Sequence, residues 1–358
     1  MKHKVFGYYL PLWLQILGRW NKNLNYVDGF GGLGAYHEKG DVDAGILKSR
    51  YFGSPVLSMM QMANLENKKR IQKANILIID QDQENIENIE KIVEFLKIKI
   101  NGAVIYKNEN FDKEINNFLD QVDKSEKNLA PTFFLIDPFG FADIKLQTLK
   151  RIMSRDKTEV LLNFMYNSLQ QWITHPDEKI NKIYDEYFGG DEWRKCQNIK
   201  LFEREKKLVE IFRNKCKEFC KYVYPFRLKF PYQNKTYYYL FHLTQYWKGC
   251  ALMKDSFAKF NDGKSEYNGE NRQTSLLEPL EKKKKEENFS NKLTEKYKGK
   301  TIKLRQILED LIDENSLLQK EIEKEVGALE RDEKIKVTPF DGRKRRGGFK
   351  EDDVIVFN

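Results

Sequence analysis

Five short, largely apolar runs, separated by stretches of helical periodicity, constrain this chain more than anything else in it. They are Asn25 to Val27, Ile76-Leu77-Ile78-Ile79, Val104-Ile105-Tyr106, Phe133-Phe134-Leu135-Ile136 and Val160-Leu161-Leu162-Asn163-Phe164. A strand apolar on both sides must be covered on both faces. Helices between the strands supply that cover, so the pattern predicts an open, parallel α/β sheet. The intervening helices read as residues 1–20, Pro55 to about Leu65, and a polar helix with Ile86, Ile89, Ile92, Val93 and Leu96 at helical spacing. Ligands of such sheets bind beyond the carboxyl ends of the strands. Three of the runs lead directly into an aspartate there: Asp28, Asp80 and Asp137.

The 358 residues allow two or three domains. Residues 165–232 read as a helical insertion with Trp172, Tyr184, Tyr187 and Trp193 in its core. Tyr237 to Leu243 is a strand, and the helix from Gly249 to Phe260 follows it back onto the same sheet. The first domain is thus expected to span residues 1–260. Residues 261–297, rich in Asn, Lys, Glu and Ser and carrying the run Lys282 to Lys285, read as a charged linker. Residues 298–358 read as helix (Ile302 to Leu311), helix (Leu317 to Leu329, with Glu321, Glu323 and Glu325 outward), then strands Lys334 to Val337 and Val354 to Phe357. That order predicts a winged helix. Its wing tip, Arg343, Lys344, Arg345 and Arg346, is either a phosphate contact or a solvated hairpin. The acidic second helix favours docking to protein over reading DNA.

Aromatic residues make up 13% of the chain, enough to drive folding of most of it. The net charge of +9 comes from 63 basic and 54 acidic residues. From Lys298 onward there are 14 of each, so the first 297 residues hold the whole surplus, 49 against 40. An anionic partner such as nucleic acid fits that surplus. Four cysteines do not make a disulfide scaffold, which points to a cytoplasmic location, and Cys216 and Cys220 read as two buried thiols. The four histidines lack zinc spacing. No apolar stretch approaches the ~20 residues of a membrane span, so no membrane partner is expected. The run Val5 to Leu17, broken by Pro11, Trp13 and Gln15, reads as a buried helix and not an export signal.

Asp28-Gly29-Phe30-Gly31-Gly32-Leu33-Gly34 follows the first strand. Glycines there let the backbone turn tightly and approach a ligand. The spacing is neither the dinucleotide G-x-G-x-x-G nor a P-loop. D-x-F-x-G-x-G is the shape used for S-adenosylmethionine; an ordinary glycine turn is the other reading. Asp80 is placed either to accept both hydroxyls of a ribose or to cap the helix after it. Asn110 and Phe111 flank an adenine or belong to a polar loop. Asp137-Pro138-Phe139-Gly140-Phe141 is similar to the D-P-P-Y motif of methyltransferases acting on exocyclic amines. In that chemistry the carboxylate and the carbonyl of Pro138 accept the amine hydrogens. An aromatic ring, Phe139 or Phe141, stacks on the base, and transfer is governed by positioning. A plain turn after a strand is the alternative.

Taken in order, Lys2-His3, Tyr26 to Tyr36, Gly53-Ser54-Pro55, Leu135 to Phe141, Asn163-Phe164, Tyr238 to Leu240 and Gly249 to Lys254 resemble the three-Cys-motif partner family of bacteria. The likeness covers roughly residues 1–260. That family is itself similar to the ribosomal RNA adenine-N6 methyltransferases, where a Lys-His pair before strand one helps to bind cofactor. The resemblance implies a Rossmann-like methyltransferase sheet with helical additions and a C-terminal winged helix. It implies S-adenosylmethionine held by Lys2, Asp28, Phe30, Gly31, Gly32, Gly34, Ser54 and Asp80, with Asp137, Pro138 and Phe139 catalytic. It also implies a partner of radical S-adenosylmethionine type with three clustered cysteines, which this chain does not itself carry. Three functional expectations follow: a methyltransferase acting on a nucleic-acid base or nucleotide amine; a non-catalytic methyltransferase-like partner; and, on the family's mobile genomic company, a nucleotide sensor in phage defence.

Overall fold

The computed structural model describes residues 2–36, 52–126, 128–229, 235–260, 266–267, 289–342 and 347–358. The chain divides into two compact units, Met1–Tyr267 and Asn268–Asn358.

The first unit is built on one sheet. Its strands are β1 (Asn23–Asp28), β2 (Lys73–Asp80), β3 (Val104–Asn108), β4 (Thr132–Ile136), β5 (Thr158–Phe164), β6 (Tyr222–Lys229), β7 (Thr236–Thr244) and the two-residue β8 (Glu266–Tyr267). Their order across the sheet is β3-β2-β1-β4-β5-β7-β6-β8. Strands β1 to β5 run parallel, while β7 is antiparallel to both β5 and β6. The order reverses between β1 and β4, which is the topological switch point of a doubly wound sheet.

Helix α1 (Lys2–Gly18) lies on one face. Phe6, Tyr9 and Trp13, at helical spacing, each bring a ring to within 6.2 Å of Phe133 on β4. Helices α2 (Ser54–Asn67) and α9 (Trp247–Lys259) pack beside it. The opposite face carries the alternate strand residues Val27, Ile79, Phe134, Ile136, Leu162, Phe164 and Phe241. They pack into a single cluster with α4 (Phe111–Lys124), α5 (Leu146–Met153), α6 (Tyr166–Trp172), α7 (Glu178–Phe188) and α8 (Leu201–Lys217). Helix α3 (Gln83–Phe95) packs on β2 and β3. Trp193, Tyr184, Tyr187, Phe188 and Phe212 are fully buried, and each contributes roughly 2–3 kcal/mol of apolar burial. Trp172, expected in this core, is exposed at the end of α6.

Residues 222–229, expected inside a helical insertion, form β6. Past Pro225, Phe226 and Leu228 are buried while Arg227 and Lys229 are only partly covered, the two-residue period of a strand. Pro225 is tolerated because the neighbour on one side, β8, is only two residues long, so little of that edge needs a backbone donor.

In the second unit, residues 289–297 form a helix, α10, where a linker was expected. Phe289, Leu293 and Tyr297 recur every fourth position and are buried, giving an otherwise polar segment one apolar stripe. Strand β9 (Thr301–Lys303), helices α11 (Leu304–Leu311) and α12 (Gln319–Arg331), and strands β10 (Ile335–Thr338) and β11 (Val354–Phe357) follow, with sheet order β10-β11-β9. Glu325, expected to face outward, is buried and accepts a hydrogen bond from Ser290 Oγ at 2.8 Å. Arg343, Lys344, Arg345 and Arg346, the run Lys282 to Lys285, and His37 lie outside the described residues. Among those described, no helix is long and apolar enough to cross a membrane.

Candidate active site

The switch point gathers the three strand-end aspartates. Asp80 and Asp28 end the neighbouring strands β2 and β1, and Asp137 directly follows β4 on the other side of β1. Tyr36 stands in the field of all three; burial first, then the charges of Asp137, Asp28 and Asp80, push its hydroxyl above the ordinary phenol value.

Asp28 is fully buried. It accepts hydrogen bonds from Tyr26 Oη at 2.7 Å and from the backbone of Phe30 at 3.4 Å, and Ser54 at the start of α2 also bonds it. Burial nonetheless pushes its carboxyl up to about 7, with the charge of Asp137 adding to the effect and the hydrogen bonds opposing it. Ser54 thus reaches the site by holding Asp28.

The glycine turn is shaped by the protein around it. Gly32 and Gly34 adopt φ of +60° and +72°, which residues with a Cβ rarely enter. A Cβ on Gly34 would come within 2.8 Å of Ile89 on α3. Gly53 N–H donates to Gly34 O at 2.7 Å, and Ala35 bridges Phe52, so the two glycine motifs are zipped together. Phe30 packs its ring on Phe111, 5.4 Å away.

Asp80 is more committed than the sequence suggested. Its Oδ1 accepts from Asp82 N at 2.9 Å and Asn85 Nδ2 at 3.0 Å, and its Oδ2 accepts from Gly32 N at 2.7 Å. A carboxylate offers about four lone-pair sites, so one remains on Oδ2. Asp80 thus keeps room for one further donor, where a pair of ribose hydroxyls would need two. Nor does it cap α3; Asp82 does, accepting from Glu84 N.

Asp137 is held from two sides. Lys2, at the first turn of α1, forms an ion pair with Oδ2, and Asn163 Nδ2 on β5 donates to Oδ1 at 2.7 Å. Lys2 is therefore an Asp137 partner. Asn163 is 5% exposed, and its own Oδ1 has no hydrogen-bond partner among the described residues. His3 beside them is held down to about 4, chiefly by burial and then by the charge of Lys2, so it is neutral near pH 7. Pro138 is buried, while Phe139 is 82% exposed and free to stack. Phe141 is not available for stacking: it is buried against Tyr184, with ring centroids 4.6 Å apart.

The pair after β3 is also reassigned. Phe111 is buried as the first residue of α4, in register with Ile115 and Leu119, and its ring packs on Phe30. Asn110 caps that helix, accepting from Lys113 N at 3.2 Å, and turns its amide toward Asp143. Sequence alone assigns no role to Tyr36 and Asn163, which the fold brings to the strand-end aspartates, or to Asp143, which it joins to Gln81 and Asn110. Tyr36 and Asn163 sat inside the quoted motifs without a role, and Asp143 carries no motif at all. Cys216 and Cys220 are buried thiols outside any disulfide among the described residues, and Cys220 Sγ donates to the carbonyls of Tyr222 and Thr244. No group of His, Cys, Asp and Glu able to hold a metal occurs among the described residues.

No family model and no curated protein matches this sequence. Solved structures do resemble it in part. An rRNA methylase from Streptococcus thermophilus aligns with 66% of this chain and 92% of its own, at 9% identity and a TM-score of 0.30. An O-methyltransferase from Bacillus cereus in complex with SAH aligns with 66% and 80%, at 11% identity and 0.33. Trm1 from Pyrococcus horikoshii with S-adenosyl-L-methionine aligns with 68% and 54%, at 10% identity and 0.31. Strand order and register, and not these likenesses, define the sheet.

Proposed function

We propose that this protein is an S-adenosylmethionine-dependent methyltransferase acting on an amine of a nucleic-acid base or nucleotide. The observation that carries the reading is the convergence of Asp80, Asp28 and Asp137 on three adjacent strand ends at the switch point. Acids outnumber bases there, which suits a ligand bearing both a sulfonium and an ammonium. When bound, the cofactor supplies an electrophilic methyl group and a neutral thioether as leaving group. The protein supplies geometry. Asp28 faces the amino-acid end beside the glycine turn, and the remaining lone pair of Asp80 takes one ribose hydroxyl. Asp137 accepts an amine hydrogen while Lys2 and Asn163 fix its plane. Phe139 offers the exposed ring on which a base stacks; such contacts are worth about 1–3 kcal/mol per base.

Transfer of tritiated methyl from S-adenosylmethionine to total RNA and DNA tests the reading. Label in nucleic acid that disappears with Asp137→Ala supports it. Cofactor binding without any transfer by the wild type would instead favour the non-catalytic partner. The ion pair of Asp137 with Lys2 is the feature that favours this second reading, since it offsets the acid's charge and engages one of its oxygens before any substrate arrives. In it the chain serves a three-Cys-motif protein of radical S-adenosylmethionine type. The second unit is read as a winged helix, on the order α10-β9-α11-α12-β10-β11. Its contact with nucleic acid is tested by an electrophoretic shift that weakens when Arg343, Lys344, Arg345 and Arg346 become Ser.

A further inference from the structure

The amino-terminal edge of the sheet, opposite the three aspartates, carries a dense set of cations. Helix α1 ends at Gly18 and β1 begins at Asn23; α2 ends at Asn67 and β2 begins at Lys73. Strands β1 and β2 are parallel neighbours, with Asn23 opposite Lys73, so both connections lie side by side at one edge. A Cβ on Gly18 would come within 2.8 Å of Ile71 and 3.6 Å of Arg70 O, so little space separates them. The two stretches, 18–23 and 67–73, hold Arg19, Lys22, Lys68, Lys69, Arg70 and Lys73 and no acid. All six cations are exposed, and none forms an ion pair among the described residues.

The nearest acid in sequence to the second stretch, Glu66, is buried. Its Oε1 accepts from Ala74 N at 2.9 Å and its Oε2 from Asn101 N at 2.8 Å. Three of the cations sit on a fixed turn: Lys69 N donates to Glu66 O at 2.9 Å and Arg70 N to Leu65 O at 2.8 Å. Consecutive like charges lie within the ~8 Å screening length of physiological salt and repel, so the fold gains nothing from them. Beside them Trp20 is 85% exposed, and no large apolar side chain among the described residues is more so. Unpaired cations suit phosphates, and a ring left in water suits an unpaired base.

We infer that this edge docks single-stranded nucleic acid, gripped through its phosphates by the six cations with one base stacked on Trp20. A duplex offers phosphates but keeps its base faces stacked inside. An anionic lipid surface or an acidic peptide offers no base. Lys73 and Asp80 stand at opposite ends of β2, about 23 Å apart at ~3.3 Å per residue, so a strand held here leaves the strand-end site open.

Fluorescence titration of the full chain with an oligouridylate of about 20 nucleotides tests this. Arg343, Lys344, Arg345 and Arg346 are first changed to Ser, so that the tail cannot supply the binding. Indole emission should be quenched. Affinity should fall with salt at a log–log slope near −4, from six neutralised phosphates at about 0.7 each. Lys68→Ser, Lys69→Ser and Arg70→Ser together should reduce that slope by about 2. Trp20→Ala should weaken binding about tenfold, the scale of one base–aromatic stack, while Trp20→Phe keeps most of the affinity and loses most of the quench. The charge variants should melt no lower than the wild type, since repelling charges are removed. Binding unchanged by the triple substitution or by Trp20→Ala overturns the inference. Equal affinity for the duplex with oligoadenylate, for inorganic polyphosphate or for phosphatidylserine vesicles also overturns it. Calorimetry with S-adenosylhomocysteine should read the same in every variant, so failure of the docking edge leaves the cofactor site standing.

Discussion

Cofactor binding should expel a proton from Asp28. This carboxyl is buried, and burial has pushed it up to about 7, so it is poised between its two states at neutral pH. An ammonium placed within a few ångströms lowers a carboxyl by about 1–3 pH units. The bound complex should therefore hold Asp28 ionised down to about pH 5. The protons released per ligand bound follow directly: roughly 0.8–0.9 at pH 6, about 0.5 at pH 7 and about 0.1 at pH 8. His3, held down to about 4, contributes nothing in this window. Calorimetry with S-adenosylmethionine in buffers of different ionisation heat reads the proton number as the slope of binding enthalpy against buffer enthalpy. A zero slope at pH 6, or a slope that persists in Asp28→Asn, would refute the placement of the ammonium beside Asp28. The same carboxyl carries a stability signature. Its folded value lies above the unfolded one, so the stabilisation it gives is complete below about pH 4 and is lost as pH rises through about 7. The full span is roughly 4 kcal/mol. Urea unfolding at pH 5 and pH 7.5 should show part of that loss in the wild type and not in Asp28→Asn.

Other perturbations have equally definite outcomes. Gly34→Ala forces a Cβ against Ile89 at a φ of +72° and should cost about 2 kcal/mol or more, read by thermal melting. Pairing it with Ile89→Val should restore only part, because the backbone conformation still excludes a Cβ. Phe141→Ala should destabilise by about 3–5 kcal/mol in urea unfolding, as a ring leaves the packed core. Phe139→Ala should change stability by less than about 0.5 kcal/mol while lowering methyl transfer. The ring protons of His3 should show no titration between pH 5.5 and 8 by NMR; an inflection near 6.5 would contradict its burial beside Lys2.

The parallel half of the sheet was legible because strands β2, β4 and β5 are almost wholly buried, and burial on both faces writes itself as uninterrupted Ile, Leu, Phe and Val. Strand β6 was not, since Pro225, Arg227 and Lys229 break the run and its outer neighbour is too short to demand cover. Helix α10 hid in a charged composition because three residues, Phe289, Leu293 and Tyr297, carry its entire apolar side. At the site, sequence marked the strand-end acids but not how far they were already engaged. Whether Asp80 keeps four lone pairs or one depends on Gly32, Asp82 and Asn85 turning toward it, and only folded geometry decides that. Phe139 and Phe141 are two residues apart and chemically identical, yet one faces water and the other Tyr184. Asn163 sits on a strand too apolar for its amide to stand out, and Asp143 is joined to the strand-end loops by donors 33 and 62 residues away in sequence.

Helix α1 is fastened like a key with two teeth. Lys2 bites on Asp137 at one end of the sheet, and two turns later the hydroxyl of Tyr9 bites on Glu159 Oε2, the same oxygen that His242 Nε2 meets at 3.0 Å. Seven residues separate the teeth, a rise of about 10 Å. Shifting the helix by one residue rotates both away at once and strands two carboxylates together, so intermediate seatings are not available to it. The geometry of Asp137 is thereby tied to a lock buried far from any substrate, and a change at Tyr9 or His242 reaches the acid without touching it.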